Sequence, residues 1–223
     1  MSEQEQEQEE IWNPKTELGR KTAQGQISSI EEALNAHKKI MEPEIVDALK
    51  DLDEEGILIG GTPGKGGGKR RTVSKRTARM HKSGARYNSK AMTVLGNRRN
   101  VIGLGMGESD DTRAAIDDAN RKAKLNLIQV SKGCGSWECG CGTEHTVPLE
   151  VTGKSGSVTV TLKPAPKGTG LAASDEVKKI LELAGIEDIW VQARGKTRTR
   201  ENLIRATFNA LKKINEYKRG DIE

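Results

Sequence analysis

The sequence predicts an α+β fold in two domains, and three features carry that reading. Short apolar runs at 91–95 and 101–104 flank turn residues, while apolar and polar residues alternate strictly at 147–151 and 158–162. Both patterns mark β-hairpins with a buried face. Between and after these hairpins the apolar spacing changes to that of helices, at 111–128, 177–184 and 204–214. A knot of glycines, three cysteines and a histidine at 133–145 interrupts the pattern and leaves one set of elements on each side. At 223 residues the chain has room for two small domains. With 34% hydrophobic, 31% charged and 3% aromatic residues, part of it has no core to join and belongs to tails or loops.

Residues 1–26 divide into a tail and a short extension. Five of the first ten residues are glutamate, so the tail has nothing to bury and is expected to be disordered. The first domain is expected over 27–130. Ser28 or Ser29 can cap a helix, with Glu31 or Glu32 as the reciprocal partner. Pro43 suits the first turn of a second helix over 43–52, whose Ile45, Ala48, Leu49 and Leu52 share a face. A glycine-rich basic insertion at about 60–75 follows, expected as a flexible loop, and then the 91–104 hairpin with Arg98 and Arg99 at its tip. Gly103, Gly105 and Gly107 lead toward a helix. There Glu108, Asp110 and Asp111 read as first-turn acids, and Ala115, Ile116, Ala119, Ala123 and Leu127 as an apolar stripe with small residues at its centre.

After a linker at 131–145, a second domain over 146–216 is expected to run ββαβα. Its parts are a hairpin with its loop at 153–156, a stiff connector at 164–170, a helix capped by Ser174 and stopped at Gly185, and a strand over 186–193. A last helix is striped by Ile204, Phe208, Leu211 and Ile214, and residues 217–223 form a tail.

Charge is segregated along the chain. Residues 56–107 hold no Asp or Glu and twelve Lys and Arg, whereas residues 1–55 carry a net −9 and residues 108–223 a net +2. Like charges confined to one stretch repel and gain nothing in a folded monomer, so this field calls for a polyanion. Lys69, Arg70, Arg71, Lys75, Arg76, Arg79, Lys82, Arg86, Arg98 and Arg99 are therefore read as RNA-contacting residues. Arg194, Lys196, Arg198 and Arg200, on alternate positions beside Gly195 and two threonines, make a second basic site for RNA or protein. Tyr87 alone is aromatic within the basic stretch, which disfavours serial stacking of single-stranded bases. Duplex or folded RNA, held through phosphates and 2′-hydroxyls, fits better.

No nucleotide site is expected. Gly60, Gly64 and Gly68 enclose three residues each, where a phosphate-binding loop needs four and then Gly-Lys followed by a hydroxyl residue. The glycines at 103–107 miss the dinucleotide pattern by one position. Cys134, Cys139, Cys141 and His145 offer three soft ligands and an imidazole, enough for tetrahedral zinc. Their C-x-C spacing is unusual, and free thiols in a turn remain the other reading. Such a zinc would be structural, since all four positions would be protein ligands. His37, His81 and His145 stand in no arrangement with Ser or Asp that makes a catalytic triad, so the chain is not expected to be an enzyme. There is no apolar run long enough to cross a bilayer and no basic-then-apolar N-terminus. A soluble protein of the reducing cytosol, with no membrane partner, is the expectation.

Ser83-Gly84-Ala85-Arg86, the hairpin at 94–105, Ala123-Lys124-Leu125-Asn126-Leu127-Ile128 and His145-Thr146-Val147-Pro148 occur in that order. Pro164-Ala165-Pro166-Lys167-Gly168-Thr169-Gly170, Leu183-Ala184-Gly185-Ile186 and Ala206-Thr207-Phe208-Asn209-Ala210 follow. On these residues the chain resembles the universal small-ribosomal-subunit protein five family, in its archaeal and eukaryotic branch, over about residues 78–215. Trp12-Asn13-Pro14 with Leu18-Gly19-Arg20 is similar to the archaeal N-terminal extension.

The resemblance implies a double-stranded-RNA-binding-like first domain and a second domain of the fold named after this family. It implies that the first domain and its hairpin bind small-subunit rRNA near the channel through which mRNA enters. The second domain would pack on small-subunit ribosomal proteins four and eight, and the protein, on cytoplasmic ribosomes, would support decoding accuracy and mRNA unwinding. Arg86, Arg98 and Arg99 would fall on the hairpin that touches rRNA. Two positions depart from the family: the insertion at 60–75, and Glu108, where bacterial relatives often carry a basic residue. A free-standing duplex-RNA-binding module is the competing class.

Overall fold

The computed structural model describes residues 12–36, 39–49, 51–63 and 69–218. The acidic tail at 1–10, His37, the centre of the glycine-rich insertion at 64–68 and the last residues of the C-terminal tail, 219–223, lie outside the described residues.

Three short helices open the chain: α1 (Glu17–Ala23), in the extension to which the sequence assigned no element, α2 (Ile30–Ala36) and α3 (Glu44–Leu49). Ser29 Oγ accepts from the Glu32 amide while Glu32 Oε2 reaches back to the Ser28 amide, so the reciprocal cap forms. Leu18, Ile30, Leu34 and Ile45 bury together, and Leu52 packs on them from beyond the end of α3.

One carboxylate fastens the extension. Glu42 accepts from the Trp12 indole at 3.0 Å and from the Lys15 and Thr16 amides at 3.0 and 2.6 Å. Burial alone would raise its pKa, but the donors on Thr16, Lys15 and Trp12 outweigh that and hold it below its ordinary 4.5. A carboxyl with a lowered folded pKa contributes fully above its unfolded value, and loses that contribution as pH falls through the folded one. Acidification through its lowered pKa is therefore expected to release the 12–24 segment, read as faster amide exchange at Lys15 and Thr16 while the central strands stay protected. Glu42→Gln should do the same at neutral pH; unchanged exchange in both experiments would leave Glu42 without this role.

Next in chain order come β1 (Asp53–Gly56), β2 (Gly60–Pro63), β3 (Lys69–Thr72), β4 (Ser74–His81), β5 (Gly84–Gly96), β6 (Val101–Ser109), α4 (Thr112–Leu125) and β7 (Leu127–Gln129), of which β1 and β4–β7 build the first sheet. Its antiparallel path is β1-β5-β6-β7, and β4 also pairs with β5. β2 and β3 pair only with each other, so the stems of the insertion, expected as a flexible loop, form a narrow ribbon in which extended backbones satisfy one another's hydrogen bonds.

Gly103, Gly105 and Gly107 lie on the face of β6 beneath α4. A Cβ on them would stand 2.5, 2.0 and 2.0 Å from the carbonyl oxygens of Ala123, Ala119 and Ala115 respectively. Two strand residues advance about 6.7 Å and four helical residues about 6 Å, so the glycine run and the alanine run meet residue by residue. The near-fingerprint in the sequence is a packing surface. Its acids are placed differently from the sequence expectation. Glu108 stays on β6 and pairs with Lys90 at 3.1 Å, Asp111 is the N-cap whose carboxylate accepts from the Thr112 amide at 2.8 Å, and the first turn of α4 carries no acid. β6 runs on to Ser109 to match β5, which delays the start of the helix.

β8 (Val151–Ser155), β9 (Val158–Pro164), β10 (Leu171–Ala172), α5 (Asp175–Leu183), β11 (Ile189–Arg194) and α6 (Arg200–Lys218) complete the chain. The second sheet is ordered β10-β11-β9-β8, with the short β10 added in parallel to the expected ββαβα set. β8 begins at Val151 and runs through Gly153, expected as loop, whereas Val147 is buried outside any strand. Gly153 belongs in the strand because α6 crosses it: a Cβ there would lie 2.0 Å from the Ala206 carbonyl. Ser174 precedes α5, but its hydroxyl makes no capping bond.

The two sheets share one core. Met92, Val94, Ile102 and Leu104 from the first cluster with Val160, Leu162 and Ile189 from the second, and with Ile180 of α5 and Ile204 of α6. The β5–β6 tip is part of this joint. Asn97 Oδ1 accepts from the amides of Arg99, Asn100 and Val101, and the Arg98 amide donates to the Leu183 carbonyl at 3.0 Å. Gly185, at φ 71°, stops α5 beside the tip, where a Cβ would stand 2.3 Å from the Arg98 carbonyl oxygen. At the opposite edge Glu176 accepts from the Leu58 amide at 3.2 Å and Arg200 donates to the Leu58 carbonyl at 2.7 Å. Among the described residues no helix is long and apolar enough to cross a membrane.

Candidate RNA interface and metal centre

Residues 84–88 of β5 pair with β4 alone, so the two strands leave the sheet as a two-stranded ribbon. Directly opposed residues share a face, which puts Lys75, Thr77 and Arg79 together with Lys90, Asn88 and Arg86. Arg79 lies directly opposite Arg86. This face borders a cleft of about 740 Å³ that Glu108 and Asp110 also line. On the other face the Arg76 guanidinium stacks over the Tyr87 ring at 3.9 Å, a pairing that no local spacing announces.

The sequence-predicted basic residues divide by what already holds them. Arg71 lies 3.8 Å from both Asp175 and Glu176, Lys75 bonds Glu201 at 3.1 Å, Arg98 meets Asp53 at 2.8 Å, and Arg200 is spent on the Leu58 carbonyl. Lys69 opens β3. Arg70, Arg79, Lys82, Arg86, Arg99, Arg194, Lys196 and Arg198 are exposed, and no described carboxylate lies within ion-pair distance of any of them. The Lys75–Glu201 pair sets the start of α6, and with it the loop bearing Lys196 and Arg198, against the base of the ribbon.

The cysteine cluster closes on itself. Ligand atoms of Cys134, Cys139, Cys141 and His145 all lie within 4.8 Å of one another. Cys139 and Cys141 sulfurs are 3.2 Å apart, Cys141 and Cys134 3.6 Å, and His145 Nε2 is 3.7 Å from Cys139 Sγ. Tetrahedral ligands at about 2.3 Å from zinc would stand roughly 3.7 Å apart, so the donor set fits that ion. Burial, with the neighbouring Cys141 and Cys139, pushes the Cys134 thiol up to about 11, while the Thr143 hydroxyl and amide hold Cys141 at about 6. Amides of Lys167 and Cys141 lower Cys139. Burial by itself lowers the His145 pKa, but Cys139, Cys141 and Asp188 together hold it above its ordinary value. Three sulfurs this close resist sharing negative charge unless a cation sits among them. Asp188, 2.9 Å from His145 Nδ1, was not legible beforehand, because it lies far along the chain in no recognisable spacing.

Residues 69–131 match the family model for the ribosomal protein S5 N-terminal domain, and residues 153–223 that for the ribosomal protein S5 C-terminal domain. The chain is 46% identical over 213 residues to the small ribosomal subunit protein uS5 of Methanoregula boonei, covering 95% of this chain and 97% of that one. The chain belongs to the ribosomal protein S5 family. Proteins of the same name from Methanospirillum hungatei (47% over 213 residues; 95% and 97% covered) and Picrophilus torridus (48% over 206 residues; 92% and 86%) are similarly close. These relatives place it in the archaeal branch of S5. The ribbon and hairpin fall within the N-terminal S5 match, whereas Cys134 to His145 lie between the two matched regions.

Proposed function

We propose that the chain is a structural, non-catalytic constituent of the small subunit of cytoplasmic ribosomes, bound to rRNA through the β4–β5 ribbon and the β5–β6 tip. The observation that carries this is the Arg79–Arg86 pair: two exposed arginines directly opposed on a ribbon that has left its sheet. Like charges so placed weaken a free ribbon and are relieved by a polyanion on their face. Arg70, Lys82, Arg99, Arg194, Lys196 and Arg198 extend the same field. The finer reading places the ribbon near the channel through which mRNA enters, where a grip on RNA supports decoding accuracy and mRNA unwinding, and seats the second domain on ribosomal proteins four and eight. No step in this role draws on nucleotide chemistry.

The test is sedimentation of cell lysate in salt that strips loosely bound basic proteins. Co-migration with the small subunit at unit stoichiometry is expected; release into the free fraction would favour a free-standing duplex-RNA-binding module.

Cys134, Cys139, Cys141 and His145 are proposed to hold one structural zinc. Purified chain should contain one zinc, lost in Cys139→Ser. A metal-free parent chain would return the cluster to free thiols.

A further inference from the structure

Asp188 is a carboxylate with 3% of its surface exposed, just before β11, and a buried acid needs a partner that justifies its burial. Its two oxygens are both engaged. Oδ2 lies 2.9 Å from His145 Nδ1, as a close pairing rather than an in-line hydrogen bond, and Oδ1 accepts from the Gly170 amide at 2.7 Å. The Glu187 and Asp188 amides also donate to the His145 carbonyl, at 3.0 and 3.2 Å. His145 is thus held from its backbone and from its ring by one stretch of chain. With Nδ1 on the carboxylate, the Nε2 lone pair is left to face the sulfurs, which is the tautomer a metal needs.

We propose that Asp188 is the outer-sphere positioning residue of the cysteine–histidine centre, a role that rests on the zinc reading above. Through it the metal joins three segments that are distant in sequence. The ligand loop supplies the four donors. The connector at 164–170 turns tightly, with the Thr169 amide on the Pro166 carbonyl, and meets the centre at two points: the Lys167 amide helps lower the Cys139 thiol pKa and the Gly170 amide ends on Asp188. The start of β11 supplies Asp188 itself. The centre therefore pins the crossover between β9 and β10 to the strand beside which β10 pairs.

The experiment uses the full-length chain, with zinc affinity measured by competition against a chromophoric chelator and amide exchange followed in metal-loaded and chelated samples. The parent chain is expected to bind one zinc, and Asp188→Asn, whose amide oxygen can still accept from Gly170, to bind it about 10- to 100-fold more weakly. Chelation of the parent should speed exchange at Lys167 and Gly170 while leaving the β5–β6 strands protected. A parent that binds one zinc beside an Asp188→Asn chain of equal affinity would overturn the role while leaving the zinc reading in place. Should Asp188→Asn fail to fold, the parent decides: unchanged exchange at Lys167 and Gly170 on chelation overturns the role. A parent chain that binds no zinc removes the zinc reading itself, and this role with it.

Discussion

Gly105→Val is expected to destabilise the chain by more than about 4 kcal/mol, a large share of the roughly 5–15 kcal/mol that holds a native fold together. A Cβ on Gly105 would stand 2.0 Å from the Ala119 carbonyl oxygen and 2.4 Å from the Ala123 amide nitrogen. Both are backbone atoms in the middle of α4, so no side chain can turn aside to make room. α4 would have to lift from β6, taking Ala115, Ala119 and Ala123 out of the interface that buries them. Even Gly105→Ala should cost about 2–3 kcal/mol. Gly61→Ala is the control, since its nearest neighbour, the Arg70 carbonyl, stands at 3.7 Å and the cost should stay within about 0.5 kcal/mol. Urea midpoints of the three variants and their parent measure this, and a Gly105→Ala chain that unfolds with its parent would refute the close approach.

Arg79→Thr combined with Arg86→Thr is expected to move stability and RNA affinity in opposite directions. The two guanidiniums oppose each other across the ribbon and have no described acidic partner. Their removal should leave stability unchanged or raise it by up to about 1 kcal/mol, the scale of a cross-strand like-charge pair. Binding to small-subunit rRNA should weaken, and the dependence of log affinity on log salt should fall by roughly two. Arg200→Gln should behave in the reverse sense. Loss of its bond to the Leu58 carbonyl is expected to cost about 1–3 kcal/mol of stability with little change in salt slope. If the Arg79 and Arg86 pair instead lowers stability and spares the slope, the arginines serve the fold and the interface lies elsewhere.

Much of this was legible in the chain because it rests on local chemistry. The acid-free basic stretch, the 94–105 hairpin, the alanine stripe of α4 and the cysteine cluster each declare themselves within a few residues. What stayed hidden depends on partners brought together by folding. Gly103, Gly105 and Gly107 read equally well as a turn before a helix or as a strand under one, and only the α4 alanines decide between them. Gly153 read as loop for the same reason, since glycine in a strand is explained by the Ala206 carbonyl that approaches it from α6. The basic residues looked alike in sequence, and Arg71, Lys75, Arg98 and Arg200 were set apart only by Asp175, Glu201, Asp53 and Leu58, which nothing local connects to them. Asp188 belongs with these.

The shared core has a consequence for the order in which the protein is made. Met92, Val94, Ile102 and Leu104 find their neighbours among Val160, Leu162, Ile180 and Ile204, which leave the ribosome later. Until then the first sheet presents an uncovered apolar face beside a highly cationic ribbon, a combination prone to sticking to itself and to any nearby RNA. The nascent chain therefore gains its finished fold only when α6 arrives, and a chain truncated after the first sheet should need a chaperone or an RNA to stay in solution.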